Sequence, residues 1–311
     1  MEKLTLLLVR TTGALIQGPK IFVKSLKLDK LVKASLISSG LIVLAILLGF
    51  FVSLFLSSLE FLKTAEFRTI LSNNWDPIWG NYGAVVFIAS TLICSFLALL
   101  ISIPFSLSAS IILSERTSDS AVKKIINNAL DLLAAVPSVI YGFWGLFVLA
   151  PIIRYLQIKL GYPPIGVGLF TAIIVLTIMI IPLSVSISRE VLKLVPPELE
   201  EAAFAMGATK AEVLYHISLP LARSGIIAGF VLSLGRALGE TMAVTMVIGN
   251  FNRMPRNLFS PANTIASLIA NQFNEASGAH QSALIFLGLV LFIITLLVNI
   301  AGTLILKGGN R

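Results

Sequence analysis

The chain alternates long apolar runs with short polar interruptions, and the runs have the length of a bilayer crossing. A membrane-spanning helix needs about 20 mostly apolar residues, and six stretches meet that requirement: 34–59, 83–103, 132–153, 165–188, 224–248 and 282–306. The first carries no charge, and the second continues uncharged past Pro104 to Ser114. This pattern predicts an all-α membrane protein with six transmembrane helices. Pro137, Gly142 and Pro182 fall inside spans, which membrane helices tolerate when neighbours satisfy the freed backbone groups. The fifth span contains Gly225-x-x-x-Gly229 and Gly235-x-x-x-Gly239, spacings that permit close helix contact but also arise by chance in apolar helices.

The polar interruptions set the orientation. Residues 1–33 carry seven Lys and Arg, the segment after the second span Arg116, Lys123 and Lys124, the segment after the fourth Arg189, Lys193, Lys210 and Arg223, and the C-terminus Lys307 and Arg311. The three alternate loops carry two each, giving sixteen cations against six. An excess of Lys and Arg marks cytoplasmic loops, so both termini are expected inside (N-in, C-in). The expected organisation is a basic cytoplasmic tail at 1–33, a first transmembrane helix at 34–59, an extracytoplasmic loop at 60–82, a core of five helices at 83–306 with a large cytoplasmic loop at 189–222, and a cytoplasmic end at 307–311. The tail reads as an orientation signal in contact with lipid headgroups.

Composition narrows the function. Of 311 residues 57% are hydrophobic and 12% charged, about half the charged share of a soluble domain. The net charge of +8 belongs to the loops, so a nucleic-acid partner is not expected. Cys94 has no second cysteine to pair with, and two histidines, His216 and His280, cannot build a metal cluster. No G-x-x-x-x-G-K-[ST] loop and no clustered Ser/His/Asp set occurs. No catalytic residue, cofactor or metal is therefore expected, and the chain is not read as an enzyme. The apolar stretch 4–9 ends at Arg10 and is too short for a signal-peptide core.

Residues 196–221, PPELEEAAFAMGATKAEVLYHISLPL, encode helix, break, helix. Pro196 and Pro197 suit a helix entry, Glu198, Glu200 and Glu201 complement the dipole of a first turn, and Gly207 fits a C-terminus. Thr209 and Glu212 have capping-box spacing, and the second helix is expected to end near Pro220. Val213, Leu214 and Ile217 recur on one face, which lies either on the protein's own bundle or lipid interface, or against a partner.

In LGRALGETMA, residues 234–243, Arg236 and Glu240 interrupt the fifth span. A charge near mid-bilayer costs roughly 2.5–3.5 kcal/mol on insertion scales. Spacing i,i+4 lets the two side chains pair, yet a buried ion pair often gains nothing over apolar residues. Two readings stand: a pair that fixes the fold, or a wet pathway in which the guanidinium fork offers donors to an anion and Glu240 limits how tightly it holds. Pro137 and Ser138 mark a helix break, because irregular backbone at membrane depth lines cavities or is buried in protein. Tyr141 and Trp144 read as packing or interface aromatics, and His280 as a capping or interface residue.

Glu201-Ala202-Ala203, Gly207 and Ile217-x-Leu219-Pro220 resemble the EAA loop of ABC-transporter permeases. VPSVIYGFWGLFVLAP (136–151), LGRALGETMAVTMVIGN (234–250), LFSPANTIASLIANQFNEA (258–276) and NWDPIWGNYGA (74–84) resemble phosphate-transport permeases of the PstC type. The resemblance covers roughly residues 70–306. It implies the type I importer permease fold and the import of inorganic phosphate. The implied partners are a sister permease subunit, a dimeric cytoplasmic ABC ATPase, an extracytoplasmic phosphate-binding protein and membrane lipid. Arg236, Glu240 and Thr241 are the implied substrate pathway, with Pro137, Ser138 and Tyr141 near it. Glu201, Ala202, Ala203, Gly207, Thr209, Ile217, Leu219 and Pro220 are the implied ATPase-coupling residues. The external stretch 251–281, with Ile265, Leu268 and Ile269 at helical spacing, is expected near the binding-protein dock or else as a re-entrant packing element. An importer of another oxyanion, or an ion-coupled secondary transporter using the Arg/Glu pair, are the rival readings; the second leaves the EAA-like loop unexplained.

Overall fold

The structure is a computed structural model that describes residues 25–63, 68–114 and 120–308. Residues 1–24 of the basic tail and 309–311 of the C-terminal end lie outside the described residues. Six helical runs among those described are long and apolar enough to cross a membrane.

The first helix, α1 (Ser25–Leu62), starts nine positions before the expected span, because nothing in residues 25–33 breaks a helix. The chain divides into two units, one ending at Ser53 and one from Leu54 to Arg311. In the first unit α1 has Leu36, Leu41, Ile46 and Phe50 all exposed. A helix apolar on every side suits lipid as its solvent.

In the second unit, residues 68–84 fold into a small hairpin that the apolar pattern did not foretell. Strands β1 (Trp75–Asp76) and β2 (Asn81–Tyr82) pair antiparallel with Trp75 opposite Tyr82. The tight turn is closed by the Asp76 carboxylate, which accepts from the Ile78 amide at 3.2 Å, and by Gly80 at φ 67°. Next come α2 (Val85–Ser114), α3 (Ala121–Ala135), α4 (Ser138–Trp144), a π-turn at Gly145–Leu149, α5 (Ala150–Lys159) and α6 (Leu169–Lys193). After these the chain forms α7 (Pro197–Ala205), α8 (Lys210–Val213), a π-turn at Leu214–Ser218, and α9 (Leu219–Leu238). The remaining helices are α10 (Met242–Val247), α11 (Ile265–Gln272) and α12 (Ala279–Gly308).

The broadest helix contact is α2 against α6, with α9 laid on α6. Small buried side chains of α2, Thr91, Ser95, Ala98, Ser102, Ser106 and Ser110, recur about once per turn and let the backbones approach, since apolar burial alone does not drive helices together in lipid. The central core joins Tyr141, Ile153, Ile173, Leu176, Val244 and Val247 from α4, α5, α6 and α10. A second cluster gathers Phe61, Trp75, Tyr82, Phe87, Ile265, Leu268 and Leu284. Its polar hinge is Gln272, whose Oε1 lies 3.0 Å from the donating Trp75 Nε1 and 3.1 Å from His280 Nε2. Ile265 and Leu268 are fully buried, so the apolar stripe of α11 serves packing.

Two helix limits differ from the sequence expectation, each for a physical reason, and one expected break is found. The third span is interrupted where Pro137 and Ser138 mark a break: Val136 and Pro137 are extended (ψ 125° and 144°), because the residue before a proline is driven out of the α region. The helix expected to stop near Pro220 does not stop; it runs from Lys210 to Leu238. The π-turn lets the Leu219 amide reach the Leu214 carbonyl, so the proline falls where the helix is already widened. Conversely, the fifth span is not one helix. α9 ends at Leu238, Gly239 caps it, and α10 begins at Met242.

A strap covers the start of α6. The amides of Gly168, Leu169 and Phe170, which a helix N-terminus leaves without partners, donate to the carbonyls of Val247, Ser260 and Leu258 at 2.9, 3.1 and 2.8 Å. The strap leaves α10 through two successive left-handed residues, Gly249 (φ 92°) and Asn250 (φ 50°). A side chain at Gly249 would meet Pro261 at 2.8 Å.

Candidate functional site

The break in the fifth span determines what its two charges can do. With Gly239 and Glu240 outside the helix, the i,i+4 geometry that would pair Arg236 with Glu240 is lost, and no ion pair forms between them. The Glu240 carboxylate instead accepts from the Ala243 amide at 3.3 Å, in the first turn of α10. Glycine is a weak helix former, and a carboxylate that bonds a nearby amide stabilises the non-helical path at that point. The expected pair is therefore replaced by a cap.

Arg236 is exposed, and its guanidinium makes no hydrogen bond or ion pair to any described residue. It lines a cavity of about 230 Å³ together with Tyr141 of α4, Leu133 and Ala134 of α3, and Met179, Pro182 and Ser186 of α6. A water needs roughly 10–15 Å³ of such space, so the cavity admits several waters or a small oxyanion. Tyr141 is buried, and its hydroxyl donates to the Leu133 carbonyl at 2.6 Å. That bond crosses the Val136–Pro137 break and supplies a partner for a carbonyl left over in the last turn of α3.

Of the residues singled out in the sequence, the fold brings Arg236 and Tyr141 to this cavity. It leaves Glu240, Thr241, Pro137 and Ser138 off its wall. The Thr241 hydroxyl donates to the Gly239 carbonyl at 3.2 Å, and its own carbonyl accepts from Thr245. The contribution of α6 went unread; the available signal was Pro182, a proline inside an apolar helix. Gly142 and Gly145 hold the wall from behind. A Cβ on Gly142 would meet Met246 Sδ at 2.8 Å, and one on Gly145 would meet Val175 and Val247 at 2.7 and 2.8 Å.

The loop 196–221 forms a second region of interest. α7 begins at Pro197, and Gly207 leaves it at φ 90°, with open space around its Cα. The capping box forms in full: the Glu212 amide donates to Thr209 Oγ1 at 3.3 Å, and the Thr209 amide to Glu212 Oε2 at 2.7 Å. Glu201, Ala202 and Pro220 are exposed, Ala203 is buried, and Ile217 and Leu219 are half-buried. Val213 is buried and Leu214 half-buried, so the stripe on α8 turns into the protein itself. The outward apolar surface is made by other residues, Phe204, Met206 and Tyr215. One contact had no sequence signal: Ser218 Oγ donates to Glu200 Oε1 at 2.7 Å, tying α7 to the π-turn.

Comparison with known proteins fits this architecture. Residues 106–308 match the family described as binding-protein-dependent transport system inner membrane component. The chain is 43% identical over 284 residues to the phosphate transport system permease protein PstC of Pasteurella multocida, covering 86% of this chain and 88% of that one. It is 34% identical to the probable phosphate transport system permease protein PstC of Methanocaldococcus jannaschii, covering 86% and 89%. Among solved structures, a bacterial alginate ABC transporter chain superposes with TM-score 0.64 at 18% identity, covering 90% of this chain and 95% of that one. A chain of the MetNI methionine ABC transporter superposes with TM-score 0.59 at 18% identity, covering 76% and 100%. At that identity the structural likeness speaks for the fold, that of ABC importer permeases. The chain is a multi-pass inner-membrane transport permease and not an enzyme, and it belongs to the family of binding-protein-dependent transport inner-membrane components, within the PstC-type permeases.

Proposed function

We propose that this chain is a transmembrane permease subunit of an ATP-driven importer of inorganic phosphate. The observation that carries the reading is Arg236, a guanidinium without a hydrogen-bond or ion-pair partner among the described residues, on the wall of a cavity of about 230 Å³, in a chain whose relatives are named phosphate permeases. A permanently charged fork of donors matches phosphate oxygens. With no carboxylate beside it, its field is available to whatever enters. Both termini face the cytoplasm, as the sixteen-to-six distribution of Lys and Arg supports, so the 1–33 tail and the 189–222 loop are cytoplasmic and 60–82 is outside.

A sister permease completes the pathway, and a dimeric ABC ATPase docks on the loop. Phe204, Met206 and Tyr215 supply an exposed apolar surface for it, and the Glu200–Ser218 bond lets motion of α7 reach α9 through the π-turn. Glu201, Ala202, Ala203, Gly207 and Thr209 shape that loop, with Ile217, Leu219 and Pro220 joining it to α9. The extracytoplasmic phosphate-binding protein delivers phosphate at the outer end, where Arg253 and Arg256 are exposed. ATP closure of the motor rocks the two permeases, and phosphate passes Arg236; Glu240 and Thr241 shape the backbone beyond it, and Tyr141 pins the wall opposite.

The test is uptake of radiolabelled phosphate into vesicles holding the whole complex, with sulfate and a phosphonate as competitors. Uptake that requires both the binding protein and ATP, and that resists sulfate, is expected. Uptake without any ATPase subunit overturns the reading in favour of an ion-coupled carrier, and stronger competition by sulfate than by phosphate reassigns the substrate.

A further inference from the structure

The hydrogen bond made by Tyr141 fixes what this residue can offer to the Arg236 cavity. A carbonyl cannot donate, so the 2.6 Å contact with Leu133 commits the hydroxyl hydrogen of Tyr141 and leaves its oxygen an acceptor only. Leu133 and Ala134 line the cavity alongside Tyr141, which places the hydroxyl end of the ring at the wall. Arg236 is the reverse, a guanidinium that only donates. The third polar side chain on the wall, Ser186 of α6, is exposed and bonded to no described residue. A free hydroxyl of this kind turns either to give or to accept.

Capping the last turn of α3 accounts for the bond, yet it does not exhaust the tyrosine oxygen, whose lone pairs remain. The other residues on the wall are Leu133, Ala134, Met179, Pro182 and Leu183, so no carboxylate lines the space. Glu240, the charged acceptor nearest in sequence to Arg236, lies off the wall and accepts from the Ala243 amide. The cavity therefore combines a cationic donor with an uncharged acceptor. That combination has a chemical use. A guanidinium alone cannot tell hydrogenphosphate from sulfate, because both are tetrahedral dianions of similar size. They differ by one proton, which phosphate retains at neutral pH and sulfate lacks. An uncharged acceptor reads that proton without repelling the anion as a carboxylate would.

We propose that Tyr141 determines the oxyanion selectivity of this cavity, favouring tetrahedral anions that carry a proton. The inference rests on the reading that phosphate passes Arg236. Arg236 donates to the unprotonated oxygens, and Tyr141 Oη accepts from the P–O–H group, a bond that sulfate cannot make. To donate to sulfate instead, Tyr141 has to release the Leu133 carbonyl. Leaving that carbonyl without its donor costs enough to shift affinity by roughly tenfold. Ser186, free to turn either way, contacts both anions and favours neither.

The experiment uses the assembled complex of permeases and ATPases without the binding protein, so that protein's own choice of anion does not enter. Equilibrium dialysis measures bound radiolabelled phosphate and sulfate, and the binding lost in Arg236→Gln is that of the cavity. The parent should hold phosphate roughly tenfold tighter than sulfate, and Tyr141→Phe should bring the two within about threefold. Ser186→Ala should weaken both alike. The readout is a ratio, so partial loss of assembly does not alter it. Unlabelled arsenate and selenate extend the test to the parent alone. Arsenate, which keeps a proton, should compete like phosphate, and selenate, which has none, like sulfate; this arm decides if Tyr141→Phe does not assemble. The proposal is overturned by a parent with no preference, by a ratio that Tyr141→Phe leaves unchanged or that Ser186→Ala shifts instead, by selenate competing as well as arsenate, or by no binding lost in Arg236→Gln. Phosphate uptake by Arg236→Gln is measured separately, so the pathway reading and the selectivity reading fail independently.

Discussion

The two halves of α9 carry the same small-residue spacing and use it in opposite ways. In the first half, Gly225 and Gly229 lie against Val191 and Ile187 of α6, with no room for a side chain at Gly225. The Ser184 hydroxyl donates to Ser233 at 2.7 Å, and Ser233 donates on to the Gly229 carbonyl at 2.9 Å. In the second half, the nearest atom to a Cβ on Gly235 is on Asn299 at 3.7 Å, and a Cβ on Gly239 would meet nothing closer than 3.8 Å. The first pair of glycines draws helices together, whereas the second frees a helix end and leaves Arg236 facing a cavity. A shared motif thus says how close a neighbour is permitted to come; the neighbour decides whether the permission is used.

The largest effect expected from this contrast is on Arg236. Arg236→Gln keeps a polar, hydrogen-bonding side chain, shorter by two bonds, and removes the charge, so the complex should assemble normally while phosphate uptake falls to background. Near-normal uptake with this variant would show that the open half of α9 is as structural as the closed half.

Next comes the packed half. Gly225→Ile places a branched side chain where Val191 already stands, and overpacking of this kind costs about 1–3 kcal/mol. A lower melting temperature of the purified complex is the expected result, with uptake per folded complex retained. An unchanged melting temperature would mean that α9 and α6 are less closely packed than the glycine contacts require.

The contrast also explains which parts of the molecule were legible in the sequence. The loop at 196–221 was readable because its signals are local: Pro197 enters, Gly207 takes φ 90°, and Thr209 and Glu212 cap each other within four residues. The six apolar runs were readable because bilayer thickness fixes their length. What could not be read depends on distant partners. The hairpin at 75–82 is fixed by Trp75 reaching Gln272, and the start of α6 is satisfied by carbonyls from 247–260. The stripe Val213, Leu214 and Ile217 had the right period, but periodicity does not tell an inward face from an outward one. At the site, Arg236 was identifiable by its cost in lipid, whereas its relation to Glu240 was inferred from a continuous helix that the structure breaks at Gly239.

Arg236→Lys sharpens the comparison at a smaller scale. The charge survives but the planar fork is lost, and with it the ability to give an oxyanion two parallel hydrogen bonds. Losing one charge-assisted hydrogen bond corresponds to about 1.5 kcal/mol, close to a tenfold change. Uptake reduced by roughly that factor is expected; full activity would mean that the site needs only a point charge.

The smallest effect, and the one that separates the two accounts of the charged pair, is Glu240→Gln. Were Glu240 the partner of Arg236, its neutralisation would leave an uncompensated cation and cost about as much as losing the arginine. In the structure the carboxylate bonds the Ala243 amide at 3.3 Å, and the amide oxygen of glutamine can accept the same bond. What is lost is the interaction of a negative charge with the start of α10, about 0.3–1 kcal/mol. Phosphate uptake should therefore stay within a factor of about five of the unmodified complex, far above Arg236→Gln. If the two variants are equally inactive, the charges act as a unit during the transport cycle and the open half of α9 closes on itself in another state.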